Sequence, residues 1–462
     1  MSALDLKVAA ARTAGRLARL AGRGGGTSLP GVLLTRMAPD AISRLAARLP
    51  QGSVAISATN GKTTSAAMTA AILERSGLRL VHNRAGANMA SGIASTLAAA
   101  AGRGGRIDGQ LGLFEVDEFW LDQVVPALRP RSLLLGNLFR DQLDRYGELE
   151  TIADRWAAMV AAMDAGAQLA LNADDPLIAD LGRERRGVVY FGVEDRSLTL
   201  PEMQHAADSK HCRRCGTAYE YDAIYLGHLG VYRCPGCGAA RPQPVVSATD
   251  VRLFRTDAAA FELHTPGGTV EVALPLPGLY NVYNALGAAA LCTSLGIAPQ
   301  AIAEGLAAVS AAFGRAERVV IGERTLSLLL IKNPAGANEV LRTLILEEDE
   351  LDLLGVLNDR TADGHDISWI WDADFELLAG RAGRVTCAGT RAAELALRFK
   401  YAGVAPDRLH VVPALPAALD DALTGARSGR VFALPTYTAL LELRAELARR
   451  GHVESFWARE AA

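Results

Sequence analysis

The stretch "GSVAISATNGKTTSAAMTAAILERSG" (residues 52–77) runs from an apolar segment through a glycine-bearing loop into a helix-forming segment, and few folds accept that order. A strand that is apolar on both faces has to be covered on both, which is the situation of a central strand in a parallel sheet. A loop that sets Asn60, Gly61, Lys62, Thr63 and Thr64 at the start of a helix aims backbone N–H groups and the positive end of the helix dipole at an anion. This is the physics of a phosphate-binding loop: the amides cradle phosphate, the lysine reaches the outer phosphates and a threonine hydroxyl binds Mg²⁺. The general pattern has glycine at position 56, where this chain has Ile56. The alternative is a glycine turn beside a solvated lysine.

Similar apolar runs recur at 78–82, 111–116, 131–135, 167–171 and 187–191, alternating with alanine-rich helical stretches, so the expected fold class is α/β with a covered parallel sheet. Residues 23–36 read as a glycine-rich turn between two helical stretches. "AAAFELHTPGGTVEVALPLPG" (258–278) alternates apolar and polar positions around a Pro-Gly-Gly turn, the pattern of an antiparallel hairpin, and a helix follows. A second alternation gives strands at 319–330, 351–357, 384–388, 408–412 and 430–434. The expected organisation is a short helical segment over 1–45, a nucleotide-binding domain over 46–316 and a smaller Rossmann-like α/β domain over 317–462. A chain of 462 residues with 50 % hydrophobic content can fill a core in each.

Cys212/Cys215 and Cys234/Cys237 form two C-x2-C pairs, each followed by glycine. That spacing marks a closed four-thiolate Zn²⁺ site of structural type, here inserted at about 205–245. Lys210, Arg213, Arg214 and Arg233 lie nearby, and zinc ribbons also bind nucleic acid. A net charge of -3 supplies no general attraction to nucleic acid or anionic lipid, so no nucleic-acid partner is expected. The N-terminal stretch spreads basic residues along an alanine-rich helix without a continuous apolar core, which argues against a signal peptide. Together with the lack of an eighteen-residue apolar run, this leads to an expected cytoplasmic location.

"LNDRTADGHDISWIWDADFE" (357–376) holds five aspartates, two tryptophans and one histidine, without a serine–histidine–aspartate grouping or a cysteine nucleophile to explain them. Taken alone it reads as a capped, solvated loop with its tryptophans in the core, or as Trp369 and Trp371 facing one side of an extended segment.

The ordered set "ATNGKTT", "FEVDE" (114–118), "GNLFRDQLDRYG" (136–147), "LNADDP" (171–176), "LPGLYNVYNALGA" (276–288), "GRAERV" (314–319) and "IKNPAGANEV" (331–340) resembles the Mur-type ligases, ATP-dependent enzymes that form amide bonds. The resemblance implies that Lys62 and Thr63 hold the outer phosphates and magnesium, with Glu115 a second magnesium-side carboxylate. It also implies that Asn281 and Asn284 face the adenine end, and that Arg315, Lys332 and Asn333 bring the C-terminal domain onto ATP. Three features depart from the family. Gln142 stands where a metal-binding histidine is usual, no lysine lies between Lys62 and Lys210 to be carbamylated, and no large UDP-sugar-binding domain precedes the loop. Adding "GGGTSLPG", "NRAGANM" (83–89), the four cysteines and the aspartate-rich stretch, the chain is similar to the MurT branch, the synthetase subunits of lipid II isoglutaminyl synthases. That branch implies a GatD-like class I glutamine amidotransferase as partner and lipid II at the inner membrane face as substrate. The implied reaction is ATP-dependent conversion of D-glutamate to D-isoglutamine through an acyl phosphate. It further implies that an aspartate of the 357–376 stretch completes the partner's cysteine–histidine pair; Asp366 ranks first, then Asp363, then Asp359, because Gly364 permits a tight turn. A self-sufficient amino-acid ligase of Mur or folylpolyglutamate type is the alternative.

Overall fold

The computed structural model describes residues 2–20, 28–83, 87–102, 106–141, 149–205, 207–309 and 315–454. In chain order the first strands are β1 (Ser53–Ser57), β2 (Leu80–His82), β3 (Leu111–Glu115), β4 (Ser132–Leu135), β5 (Gln168–Asn172) and β6 (Val188–Val193). A two-stranded hairpin follows, β7 (Glu220–Leu226) and β8 (Leu229–Arg233), and then β9 (Val246–Phe254), β10 (Ala258–Thr265) and β11 (Gly268–Leu274). All of them except the hairpin join one sheet in the order β11-β10-β9-β6-β5-β4-β1-β3-β2. The 258–278 hairpin is therefore not separate: β9 runs parallel to β6 and antiparallel to β10, so the parallel sheet continues into an antiparallel edge. β1 is buried at every position, which explains why "SVAIS" carries no polar alternation. The helix Leu279–Ser294 packs across this sheet with Val282, Leu286, Gly287 and Leu291 all buried.

The second sheet has the order β12-β13-β17-β14-β15-β16, from β12 (Arg315–Ile321), β13 (Arg324–Leu329), β14 (Leu351–Val356), β15 (Ala382–Ala388), β16 (Leu409–Val411) and β17 (Arg430–Pro435). Two expectations change here and at the N-terminus. The run at 319–330 is a hairpin of two antiparallel strands, folded at Gly322, whose φ is +61°. The "LPGVLLTR" part of the 23–36 stretch is a helix, Leu29–Met37, with Pro30 in its first turn, where a missing N–H costs nothing. Among the described residues no helix is long and apolar enough to cross a membrane.

Topology places the site. β1 lies between β3 and β4, so the chain leaves the carboxyl ends of these neighbours in different directions, and a crevice opens where it does so. The carboxyl ends of β13, β14 and β17 lead into residues 330–333, 357–374 and 436–438, the loops of the second sheet that carry Lys332, the aspartates and Thr438.

Candidate active site

Gly61 has φ +87°, and a Cβ built there would stand 1.9 Å from Asn284 Oδ1. Glycine is thus required on two counts, backbone conformation and space. Lys62 opens the helix Lys62–Arg75 and is buried. Its Nζ donates to Ala58 O at 2.6 Å, to Thr59 O at 3.3 Å and to Glu118 Oε2 at 2.6 Å. Burial alone pushes the ammonium pKa down, but the carboxylates of Glu118, Asp117 and Glu115 outweigh it and hold it above the ordinary value. Thr63 is half-buried and Thr64 buried on the next positions.

Glu115 is buried at the end of β3, and its Oε1 accepts from Asn88 Nδ2 at 3.3 Å. Asn83 pins the same point, taking the Glu115 N–H at 2.9 Å and donating to its carbonyl at 2.8 Å. Thr63 hydroxyl and Glu115 carboxylate are the hard oxygen donors that Mg²⁺ takes. Glu118 and Asp117 of the same "FEVDE" run also belong to this site, though no motif marks them in the sequence. Glu118 is the direct partner of Lys62, and burial, reinforced by Glu118, raises the Asp117 pKa.

Asn284 Nδ2 donates to Asn281 Oδ1 at 3.1 Å, and Asn284 Oδ1 lies 3.4 Å from Ser65 Oγ. The pair therefore rests on the phosphate loop through Asn284, and Asn281 is anchored to Pro277 O at 2.8 Å. Arg315 begins β12 opposite Leu329. Gln142, Arg84 to Gly86 of "NRAGANM", Gly24 to Thr27 of "GGGTSLPG" and Gly314 lie outside the described residues.

The second sheet reaches this loop directly. Asn333 caps the helix Pro334–Leu344 through Gly336 N at 2.8 Å. Its amide also pairs with that of Asn60, at 3.0 and 3.3 Å. Lys332 Nζ is ion-paired with Asp141 and 3.4 Å from Thr59 O. Burial raises the Asp141 pKa and Lys332 opposes it. Arg140, Asp141, Lys332 and Asn333 line one cleft with Asp363 and Asp366.

Among the aspartates, Asp363 is buried and bound to Thr438 through its N–H at 2.7 Å and its hydroxyl. Asp359 pairs with Arg391 Nε and Thr390 Oγ1, both at 2.8 Å. Asp366 is exposed, accepts Ser368 N–H at 2.8 Å, and is held below the ordinary carboxylate range by the Ser368 hydroxyl and N–H. Gly364, two residues before it, has φ +86°. Trp369 and Trp371 do not face one side of an extended segment. Ser368–Trp371 is a 3₁₀ turn, so Trp369 packs on the core and Trp371 stacks edge-on against Tyr401 at 5.8 Å.

The four cysteines converge, with all Sγ atoms within 4.8 Å of one another. Two equivalent turns build the cluster: Gly216 N bonds Cys212 O and Gly238 N bonds Cys234 O, and both glycines have φ +74°. Four thiols in this arrangement fit a tetrahedral Zn²⁺. Replacing Cys212 and Cys234 together by serine is expected to abolish zinc retention and lower the melting temperature, because binding energy lost at such a site is folding energy lost. Elemental analysis of the freshly purified wild-type protein showing no zinc would refute the assignment.

The sheet, its phosphate loop at the β1/β3/β4 crevice and the α/β module beyond it define a ligase of the Mur type, an ATP-dependent carbon–nitrogen ligase; residues 56–232 match the Mur ligase middle domain and residues 330–440 the MurT ligase C-terminal domain. The chain is 31 % identical over 450 residues to the MurT subunit of lipid II isoglutaminyl synthase (glutamine-hydrolysing) from Streptococcus pneumoniae, covering 97 % of this chain and 98 % of that one. It is 32 % identical over 440 residues to the same subunit from Staphylococcus aureus, covering 94 % and 96 %. The chain belongs to the MurT family. Its fold is shared by a pseudomurein peptide ligase type C from Methanothermus fervidus, with a TM-score of 0.66, 23 % identity and coverage of 87 % and 79 %. MurF from Acinetobacter baumannii shares it as well, with a TM-score of 0.65, 20 % identity and coverage of 91 % and 80 %.

Proposed function

We propose that this chain is the synthetase subunit of a glutamine-dependent complex that amidates the α-carboxylate of D-glutamate in the stem peptide of lipid II. The observation that carries the reading is the meeting of the two loop systems: the phosphate loop touches Lys332 and Asn333, and Asp366 lines the same cleft as these two residues. The relatives' names supply the substrate and the glutamine dependence, and the word subunit in them supplies a partner.

ATP binds with its outer phosphates on the amides of Gly61 to Thr64 and on Lys62. Thr63 and Glu115 would hold magnesium, which would neutralise phosphate charge. A carboxylate oxygen of the glutamate attacks the γ-phosphorus and ADP leaves, giving an acyl phosphate. Ammonia then attacks the acyl carbon, the C–O bond to phosphate breaks, and the nitrogen gives up a proton to become the amide. Lys62 and Lys332 both reach Thr59 O, at 3.3 and 3.4 Å, where they can balance the transferred phosphoryl group. Arg315 and the Asn281–Asn284 pair complete the nucleotide site. The unit over 317–462 presents Asp366 to a GatD-like glutaminase, whose histidine it orients and stabilises as imidazolium.

Reconstitution tests the reading. Chain, glutaminase, ATP, magnesium, glutamine and lipid II together should yield D-isoglutamine, and omission of the glutaminase should restrict the reaction to added ammonia. Ligation of a free amino acid by the chain alone, without amidation, would support the amino-acid ligase instead.

A further inference from the structure

The four-cysteine insertion does more than hold itself together, since it grips the segment that carries Asp141. Residues 137–141 form a strap between two surfaces. On one side lies the phosphate loop: Thr59 N donates to Asn137 O at 2.9 Å, Asn137 Oδ1 accepts from Asn60 N at 2.9 Å, and Thr59 Oγ1 exchanges hydrogen bonds with the backbone of Phe139 at 3.0 and 3.2 Å. On the other side lies the insertion. The Phe139 ring sits 4.6 Å from that of His228, at the β7–β8 turn, and a Cβ on Gly227 would stand 2.8 Å from it.

Asp208 holds the strap most firmly. Its side chain is 6 % exposed. One oxygen accepts the backbone N–H of Arg140 at 2.8 Å and the other pairs with the Arg140 guanidinium. The same guanidinium reaches Asp372 Oδ2 at 3.5 Å, in the aspartate-rich stretch. The insertion also touches the second sheet's helices and loops directly, through Tyr225 O with Arg342 at 2.8 Å and His205 with Asp374 at 3.1 Å.

We propose that Asp208 is a positioning residue for the synthetase site: through Arg140 it sets the 137–141 strap against the phosphate loop and ties that strap to the aspartate-rich loop. The zinc hairpin is then a strut for ATP binding rather than a separate module. Asp208 does not line the cleft of Lys332 and Asp366; it acts through Arg140 on Asn137 and on the Asp141–Lys332 pair.

The inference rests on the ATP-site reading above but not on lipid II, so the test begins with ATP alone. In the full complex, Asp208→Ala and Arg140→Ala should each weaken Mg·ATP binding roughly tenfold, the size of a lost charge-assisted hydrogen bond. In the double variant the two losses should be less than multiplicative, because both changes remove the same contact between Asp208 and the Arg140 guanidinium. Zinc content should stay at the wild-type level in all three. Should Asp208→Ala lose its zinc or its fold, Asp208→Asn carries the test: it keeps the bond from Arg140 N, loses the ionic one, and should show an intermediate loss. Wild-type ATP affinity in Asp208→Asn and in any folded Asp208→Ala, or losses that multiply in the double variant, would overturn the proposal. Failure of the wild-type complex to amidate lipid II while binding ATP would instead remove the reading of the substrate and leave this one standing.

Discussion

Lys62→Ala is expected to lower ATP-dependent amidation by on the order of a thousandfold, whether glutamine or free ammonia supplies the nitrogen. In the proposed site the lysine is the cation at the helix start that meets the outer phosphates; its own contacts, Ala58 O, Thr59 O and Glu118, offer no second cation, and Lys332, which also reaches Thr59 O, is ion-paired with Asp141. The substitution has a second effect. It leaves the Glu118 carboxylate, 6 % exposed at its side chain, without its cation. Breaking one half of a buried pair costs about 3–5 kcal/mol, so the melting temperature should fall as well. Adding Glu118→Gln should recover much of that stability and none of the activity, which separates the structural loss from the chemical one. Rates with both nitrogen donors, together with thermal melts of the single and double variants, decide the matter. A Lys62→Ala enzyme with near-wild-type turnover would remove the phosphate-loop assignment. Glu115→Ala should behave similarly in turnover, since it takes away a carboxylate buried beside the same lysine.

Asp366→Asn should have the opposite selectivity. Glutamine-dependent amidation is expected to fall by on the order of a thousandfold or more, while amidation driven by concentrated ammonia continues. In a serine-protease triad the equivalent aspartate-to-asparagine change costs about ten-thousand-fold, because the imidazolium loses its counter-charge and the imidazole takes the wrong tautomer. Asp366 suits this test structurally. Its hydrogen bond is to Ser368 N–H, which an asparagine Oδ1 accepts equally well, and it is exposed. Asparagine at 363 would instead weaken a buried contact with Thr438, and at 359 it would remove the ion pair with Arg391. Those two variants should lose stability before they lose one activity selectively. If both nitrogen sources fail together in Asp366→Asn, the carboxylate serves the cleft it shares with Lys332 rather than the partner's histidine. If neither fails, Asp366 has no part in glutamine hydrolysis.

Much of this protein was legible because its signals are local. A strand, a loop and a helix start lie within residues 52–77, and each C-x2-C-x-x turn needs only its own glycine at φ +74°. Alternating apolar runs located most strands of both sheets, since burial on both faces leaves a continuous mark on contiguous residues. The same reasoning failed where a local run was ambiguous. At 319–330 a hairpin looked like one strand, and "LPGVLLTR" looked like a turn because its proline and glycine were read without their place in the first helical turn.

What the tertiary structure alone decided is pairing across long stretches of chain. Asn60 meets Asn333 over 273 residues, and Lys332 meets Asp141 over 191. Lys62 takes Glu118 rather than Glu115 as its direct partner, and Asp208 grips Arg140. No periodicity encodes such pairs. Each exists because the carboxyl ends of two sheets face one crevice and because charges removed from water must find each other there. The three aspartates at 359, 363 and 366 are chemically alike in the sequence. Only packing against Arg391 and Thr438 engages the first two and leaves Asp366 exposed on the cleft wall.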